Sequence, residues 1–386
     1  MNKVVKPKKG KLGLVLSGGG ARGAFQVGVY EQLLRDPRFE RGPAFVSGTS
    51  AGAINGALMA AGRSPKEMMD FWNAIADDPP AVASAAFFSS AVRTLARLTV
   101  SEGFGWLGGA SHWRAFLQRA RNHLPPQRGS FLAVWVEYLL ATRFELVSHF
   151  LEGISVPYVA ATGKLRERLI DTFGGEKIKT AGMDLAINTV DAHTGNVVRY
   201  VTADTPVTRN ISAYQIVEHI TVDMVLASAS IPLLFPPVEV GPHLLWDGGL
   251  LVNTPLAPVV AMGADEVVTV LVTEPPDPDR KPLPHFGRAV ERAVDALLEN
   301  AYNVDRMLFL ERNRLAGLKG NNYREVTLYE AVRPARDGRF NAGSYLYFER
   351  EVLAEMRRAG QRAGKSWLAQ GPRVDQLIES HAGAAA

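Results

Sequence analysis

Short apolar segments that end in glycines alternate with helical patterns near the N-terminus. Leu12–Leu16 is apolar and β-favouring and runs into three glycines, and residues 25–34 then place apolar side chains at helical spacing. Ala44–Val46 repeats the strand pattern, and Ala51–Ala61 has the composition of an alanine-rich helix that Gly62 ends. This β-turn-α-β-turn-α order predicts a parallel sheet covered by helices.

The middle of the chain departs from this order and later returns to it. Residues 78–160 contain two proline pairs and two apolar helical patterns, at 81–100 and 130–151. Strand patterns return at residues 183–190, 197–201, 244–246 and 266–272. A proline-rich connector at 275–284 then precedes a long amphipathic helical pattern.

These patterns predict how the chain is divided. A basic, flexible N-terminus is expected at 1–10, where four lysines occur without an acidic residue. The main domain is expected at 11–280, with a helical insertion at about 78–160. The remaining segment, 281–386, is predicted to be a C-terminal helical extension packed on that domain.

The composition limits the kinds of chemistry and the cellular location that we expect. The chain has 386 residues, of which 47% are hydrophobic and 21% charged, with no cysteine and a net charge of +4. Without cysteine there is no disulfide, thiolate nucleophile or cysteine-based zinc site. No signal peptide is predicted, and the most apolar long stretch, Phe131–Leu151, carries four ionisable side chains. We expect a cytoplasmic or peripheral membrane protein without a transmembrane segment.

The first motif of chemical interest is Gly48-Thr49-Ser50-Ala51-Gly52, between a predicted strand and a predicted helix. This is the context of a nucleophile elbow, in which a sharp turn exposes the serine hydroxyl. Side chains at Gly48 and Gly52 would collide with the neighbouring strand and helix. An ordinary Gly/Ser turn would use the same residues, but the strand-to-helix context favours a nucleophile.

The second motif, Gly18-Gly19-Gly20-Ala21-Arg22-Gly23, also lies between a strand and a helix. Such a loop presents backbone N–H groups to an anion, either a dinucleotide pyrophosphate or the oxyanion of an acyl intermediate. A dinucleotide site needs an acid at the end of the second strand, but Glu40 precedes that strand. The oxyanion interpretation therefore fits better. Arg22 either supports the loop, approaches a substrate phosphate or is an exposed arginine at the helix N-terminus.

The third motif, Asp247-Gly248-Gly249, directly follows an apolar strand pattern. A carboxylate at that position is poorly placed for the core and well placed to face a cleft. By itself the motif is more typical of an ordinary Asp-Gly turn.

Together and in this order, the three motifs resemble the patatin-like phospholipase family. The resemblance extends to Ser228-Ala229-Ser230-Ile231-Pro232 and to Asn253-Thr254-Pro255-Leu256. It covers roughly residues 11–76 and 163–274. It implies a three-layer α/β/α fold with a mostly parallel central sheet, interrupted here by the helical insertion.

The resemblance also implies an activity and roles for individual residues. Family members hydrolyse fatty-acyl esters of phospholipids, lysophospholipids or neutral lipids, in this branch without a metal, and we expect no cofactor. Ser50 would be the nucleophile and Asp247 the general base of a catalytic dyad acting through an acyl-enzyme. The amides of Gly18, Gly19 and Gly20 would form the oxyanion hole. The motif-supporting residues would be Arg22, Gly23, Gly48, Gly52, Gly248 and Gly249.

Three alternatives remain at this stage. A Ser-Asp-His triad would need His285 or His381, which lie in the proline-rich connector and in a terminal tail. An acyltransferase could use the same serine turn, because the acceptor depends on the shape of the cleft. A non-catalytic lipid-binding protein would be expected to have lost Ser50, Asp247 or the glycine loop, and all three are present.

The expected partner is a phospholipid or another acyl-ester lipid, with possible peripheral membrane contact. Nucleic acid is not an expected partner, because no basic stripe is interleaved with aromatic residues. The insertion at 78–160 is either a cap over the acyl-chain site or an ordinary helical subdomain. The oligomeric state is left open.

Overall fold

A computed structural model describes most of the chain and divides it into two compact units. The described residues are 11–78, 82–107, 149–275, 286–318, 323–336, 338, 340, 344, 345 and 347–376. The first unit takes its described residues from Met1–Ala81, Thr162–Pro232 and Pro236–Ala386, and the second from Val82–Ala161 and Leu233–Phe235. The predicted N-terminus at 1–10, His285 and His381 lie outside the described residues.

The first unit is built on a nine-stranded sheet. Its main path runs β10-β11-β6-β2-β1-β12-β13, while β7 pairs with β6 and β8 pairs with β7. The pairs β1–β2, β1–β12, β2–β6, β12–β13 and β7–β8 are parallel, and β6–β7, β6–β11 and β10–β11 are antiparallel. The strands, including two short pairs outside this sheet, are β1 Leu12–Leu16, β2 Phe45–Gly48, β3 Val82–Ala83, β4 Ala160–Ala161, β5 Lys177–Ile178, β6 Asp184–Asp191, β7 Val197–Val201, β8 Tyr214–Ile216, β9 Ile220–Thr221, β10 Val238–Val240, β11 His243–Asp247, β12 Glu266–Val270 and β13 Thr327–Leu328.

Helices cover both faces of this sheet. The helices are α1 Gly23–Leu33, α2 Ala51–Ala60, α3 Pro65–Asp77, α4 Ala85–Leu107, α5 Gly163–Phe173, α6 Pro206–Asn210, α7 Val222–Ser228, α8 Leu256–Met262, α9 Phe286–Ala316 and α10 Arg350–Gln370. Side chains of α1, α2, α3, α7 and α10 share one core, and those of α8 and α9 share a second core.

The two cores follow from strand periodicity. Leu14 and Leu16 belong to the first core and Val15 to the second, because successive side chains of a strand point to opposite faces. A strand buried on both faces needs the nearly continuous apolar composition that β1 and β12 have. The predicted three-layer α/β/α fold with a mostly parallel sheet is confirmed.

The segment after residue 281 contributes to the sheet as well as to the helices. β13 extends the sheet beyond β12, and Val332 forms a further parallel bridge to Val270. α10 packs on α1, where Arg357 pairs with Glu31 at 2.9 Å. The domain boundary placed near residue 280 stays a prediction.

The second unit is described only in part. β3 and β4 pair antiparallel, and the Thr94 hydroxyl of α4 donates to the Gly153 carbonyl at 2.8 Å. α4 lies within the helical insertion predicted at 78–160, but most of its second helical pattern, at 130–151, lies outside the described residues. The cap hypothesis therefore stays a prediction. Within the described ranges, no helix is both long and apolar enough to cross a membrane.

The contact between α1 and α10 depends on glycines that bring the two backbones together. A Cβ on Gly360 would lie 2.0 Å from the Phe25 carbonyl oxygen, and one on Gly28 would lie 2.1 Å from the Arg357 carbonyl oxygen. Both distances are far shorter than a van der Waals contact. Neither helix can therefore accept a side chain at these positions without moving its partner.

We predict that Gly360→Ala lowers the free energy of unfolding by at least about 2 kcal/mol, because overpacking outweighs the gain in helix propensity. The control is Gly163→Ala, because a Cβ at this helical position meets no atom within 4 Å. It should leave stability unchanged or raise it slightly. Denaturant unfolding measures both variants, and equal stabilities would contradict the prediction.

Candidate active site

Two strands of the sheet meet end to end along one edge of β6. β2 pairs with β6 as far as Gly48, opposite Ile187, and β11 pairs antiparallel with β6 as far as Asp247, opposite Thr189. β7 occupies the other edge of β6 at the same level. Only Asn188 therefore separates the two strand ends on β6, and the turn after Gly48 faces Asp247.

Ser50 lies at the strained point of the turn between β2 and α2. Its φ of 55° and ψ of −124° are unusual for a residue with a side chain, and such strain is common at functional turns. A Cβ on Gly48 would lie 2.2 Å from the Gly52 carbonyl oxygen, and one on Gly52 would lie 2.3 Å from the Leu16 carbonyl oxygen. The tight turn therefore requires both glycines. α2 begins at Ala51, so its N-terminal dipole is directed at Ser50.

Asn188 organises the junction between the two strand ends. The Ser50 N–H donates to the Ser228 hydroxyl oxygen at 3.1 Å, and that hydroxyl donates to the Asn188 carbonyl at 2.6 Å. The Asn188 side-chain amide donates to the Gly48 carbonyl at 2.8 Å. A Cβ on Gly248 would lie 2.4 Å from the Asn188 carbonyl oxygen, so only glycine fits there. This network fixes the backbone on both sides of the junction.

Asp247 is buried beside Ser50, with 4% of its surface exposed. Its N–H donates to the Ser230 carbonyl at 2.9 Å, and its Oδ1 accepts the Gly249 N–H at 2.7 Å. Burial raises the pKa of Asp247 to about 7, although the hydrogen bond from Gly249 and the nearby Ser50 hydroxyl act in the opposite direction.

The glycine loop packs directly against Ser50. A Cβ on Gly18 would lie 3.1 Å from the Ser50 Cβ, and the Gly18 N–H donates to the Asn253 carbonyl at 3.0 Å. The N–H groups of Gly19, Gly20 and Ala51 make no hydrogen bond among the described residues. The Gly18 N–H is thus already bonded within the described structure, whereas these three N–H groups are not.

Arg22 is fully buried within the protein. Its Nε donates to the Ser344 hydroxyl oxygen at 3.0 Å, and its Nη1 donates to the Val272 carbonyl at 3.1 Å. Its guanidinium carbon lies 4.0 Å from the centre of the Tyr345 ring, and Nη2 lies 3.9 Å from the Asp295 carboxylate. Since its guanidinium is enclosed in this way, Arg22 is suited to supporting the loop and not to approaching a substrate phosphate.

A buried polar network joins the glycine loop to the serine turn. The Gln26 amide donates to the Ser17 carbonyl at 2.7 Å. The Asn55 amide donates to Gln26 at 2.8 Å and to the Gly23 carbonyl at 2.9 Å, and Trp72 donates to Asn55 at 2.9 Å. A Cβ on Gly23 would lie 2.5 Å from the Trp72 ring. These contacts hold α1, α2 and α3 in a fixed arrangement behind the site.

No described histidine hydrogen-bonds to Ser50 or Asp247. His243 begins β11, whereas Asp247 ends it, and His243 pairs with Asp191 at 2.8 Å. The candidates His285 and His381 lie outside the described residues. Within the described part of the chain, neither Ser50 nor Asp247 therefore has an imidazole as a hydrogen-bond partner.

Sequence reasoning assigned no role to three residues that build the site. Asn188 and Ser228 connect the strand ends, and Asn253 accepts the Gly18 N–H. The sequence does give a signal for Asn188, because a single amide side chain within an apolar strand pattern needs a buried hydrogen-bond partner. Ser228 and Asn253 stand in segments that the family resemblance included, but their contacts join distant parts of the chain.

Comparison with known proteins gives one family and several distant structures. A sequence model described as patatin-like phospholipase matches residues 14–260. No curated protein matches the chain significantly. Among solved structures, VipD from Legionella pneumophila aligns at 15% identity over 96% of this chain and 68% of that chain, with a TM-score of 0.39. The type III effector ExoU aligns at 17% identity over 95% of this chain, with a TM-score of 0.36, and the match spans 54% of its length. At such low TM-scores these matches carry no information about the site.

We predict that Asp247→Asn is more stable than the wild type at pH 8 by about 2 to 4 kcal/mol. The folded state keeps its proton up to about pH 7, whereas the unfolded carboxyl loses it near the ordinary value of 3.8. Wild-type stability should therefore fall as pH rises between these values. Asparagine carries no such penalty, and the difference should vanish below about pH 4. Denaturant unfolding across this pH range measures the effect.

The control is Asp191→Asn, because the hydrogen bond with His243 lowers the pKa of Asp191 to about 2. An acid with a lowered pKa stabilises the fold above its unfolded pKa, and this stabilisation is lost as pH falls through its folded pKa. Asp191→Asn should accordingly destabilise the protein at pH 8. Equal stability of wild type and Asp247→Asn at pH 8 would show that Asp247 has an ordinary pKa.

Proposed function

This chain belongs to the patatin-like phospholipase family, and on that premise we propose that it is a serine lipid acyl hydrolase in which Ser50 and Asp247 form the catalytic dyad. The observation that carries the proposal is the position of the Ser50 hydroxyl, which the facing ends of β2 and β11 bring close enough to the buried Asp247 carboxyl group to lower its pKa. It lies beside a loop whose Gly19 and Gly20 N–H groups have no partner among the described residues. A nucleophile, a base and donors for an oxyanion are the parts that acyl transfer needs.

In the first half of the proposed reaction, Asp247 accepts the Ser50 proton as Ser50 Oγ attacks the ester carbonyl carbon. The carbonyl π electrons move to oxygen, and the N–H groups of Gly19, Gly20 and Ala51 stabilise the resulting oxyanion. When the tetrahedral intermediate collapses, the bond to the alcohol breaks and Asp247 returns the proton to the leaving oxygen. The products are the free alcohol and an acyl ester on Ser50.

In the second half, Asp247 deprotonates a water that attacks the acyl carbon. Collapse of this second tetrahedral intermediate breaks the bond to Ser50 Oγ, which recovers the proton from Asp247. A fatty acid leaves and the starting state is restored. The proposed substrates are acyl esters of phospholipids, lysophospholipids or neutral lipids, and water is the proposed acceptor.

Burial of Asp247 supports its proposed role as the base. An ordinary aspartate is too weak a base to take a serine proton efficiently at neutral pH. A carboxyl with a pKa of about 7 is a stronger base and is still half ionised at neutral pH. The desolvation that destabilises the charged carboxylate therefore favours the proton transfer.

The proposed dyad predicts the effect of two conservative substitutions. Ser50→Ala and Asp247→Asn should each lower kcat by roughly 10³-fold or more, because each removes one partner of the proton transfer. Hydrolysis of short- and long-chain p-nitrophenyl esters and of a phospholipid measures this loss. Asp191→Asn, which changes a carboxyl outside the dyad, should retain activity. Wild-type activity that survives Ser50→Ala would overturn the assignment.

Activity should also rise with pH and then level off. Because only ionised Asp247 accepts a proton, kcat/KM should rise tenfold per pH unit below about 7 and reach a plateau above it. Initial rates on a p-nitrophenyl ester between pH 5 and 9 measure the profile, with Asp191→Asn as the control that keeps it. A flat profile between pH 5 and 7 would contradict a base of raised pKa.

A further inference from the structure

The glycine loop is covered by a part of the chain that lies far outside the family match. A Cβ on Gly20 would lie 2.2 Å from the Tyr345 carbonyl oxygen and 3.3 Å from the Tyr345 ring. Gly20 also has a φ of 54°, which glycine adopts without strain. Tyr345 is therefore packed on the loop backbone, although the family match ends at residue 260.

Arg22 fixes the orientation of this tyrosine. Its guanidinium stacks on the Tyr345 ring at 4.0 Å and donates to the neighbouring Ser344 hydroxyl at 3.0 Å. The other side of the guanidinium is held by the Val272 carbonyl at 3.1 Å. A planar cation held by a strand end on one side and a ring on the other restricts the ring to one position.

The Tyr345 hydroxyl is buried and has no hydrogen-bond partner among the described residues. Leaving a buried hydroxyl unpaired is unfavourable, so such a group calls for an explanation. The same loop carries the unpaired N–H groups of Gly19 and Gly20. Two backbone donors on the loop and a hydroxyl on the tyrosine packed against it, all unpaired among the described residues, point to an acceptor oxygen that a ligand would bring.

We propose that the Tyr345 hydroxyl is a further oxyanion-hole donor, which hydrogen-bonds to the ester carbonyl oxygen as that oxygen becomes negative. The inference rests on the proposed function, because the ester is the one that Ser50 attacks. The hydroxyl keeps its proton throughout, and no bond to it forms or breaks. Tyr345 thereby becomes part of the active site.

The protonation of Tyr345 suits this role. Burial raises the pKa of Tyr345 to about 12; Arg22 opposes the shift, and the carboxylates of Asp295 and Asp247 add to it. The hydroxyl therefore remains a donor over the whole range in which the enzyme is expected to work.

Tyr345→Phe tests the proposal, because it removes only the hydroxyl and keeps the ring on Arg22. We expect kcat to fall by about 100- to 1,000-fold with KM changed by less than about threefold, as for loss of one oxyanion-hole donor. The melting temperature should stay the same or rise, because the lost hydroxyl has no partner in the free protein. The control is Tyr347→Phe, which changes a tyrosine that is 57% exposed in the same segment and should leave kcat unchanged.

The measurement is hydrolysis of a p-nitrophenyl ester and of a phospholipid by wild type, Tyr345→Phe, Tyr347→Phe and Ser50→Ala. A loss on both substrates supports a contact with the ester carbonyl, which the two share. A loss confined to the phospholipid would place the hydroxyl at the headgroup and overturn the proposal.

Two further results would also overturn the proposal. One is a kcat of Tyr345→Phe within twofold of the wild type, and the other is a loss matched by a fall in melting temperature, which would mean a structural role. In each case an active wild type and an inactive Ser50→Ala leave the proposed function intact. A wild type without activity on either ester would overturn the proposed function and this inference together.

Discussion

The site depends on the pairing of β2 and β11 with the same edge of β6. β6 pairs with β2 up to Gly48 and with β11 down to Asp247, and the two pairings are separated by Asn188 alone. Because β2 arrives from one direction and β11 from the other, the turn after β2 and the carboxyl at the end of β11 must meet. The hydrogen bonds of Asn188 and Ser228 then hold that junction closed. A shift of β11 by one residue would move Asp247 to the opposite face of the sheet.

The junction carries two local features that destabilise the fold. Ser50 has a positive φ, and burial makes the ionised form of Asp247 unfavourable. The surrounding sheet sustains both, because its strands are buried on two faces and its helices are joined by the Gln26–Asn55 network. Strain and desolvation of this kind are typical of sites that favour a reaction over stability. The same desolvation gives Asp247 the basicity that the proposed mechanism requires.

The segment beyond residue 281 contributes more than helices to the fold. β13 extends the sheet next to β12, α10 packs on α1 through Gly28 and Gly360, and Tyr345 packs on the glycine loop. In the same loop, the Gly18 N–H already donates a hydrogen bond to the Asn253 carbonyl. None of these contacts leaves a local pattern in the sequence. β13 is too short to show periodicity, and a hydrogen bond to a carbonyl can be made by almost any residue.

Patterns within short segments of the sequence were sufficient to predict much of the fold. Apolar alternation and glycine turns located β1, β2, β6, β7, β11 and β12, and the spacing of Gly48, Ser50 and Gly52 located a strained turn. These features could be read because each is an interaction between residues close together in the chain. The contact between Ser50 and Asp247 was expected only from a family resemblance, and the contacts of Ser228 and Tyr345 were not expected. Ser50 and Ser228 are 178 residues apart, and Arg22 and Ser344 are 322 apart. Such pairs form when strand register and helix packing bring them together, and register is a property of the assembled sheet that no single segment carries.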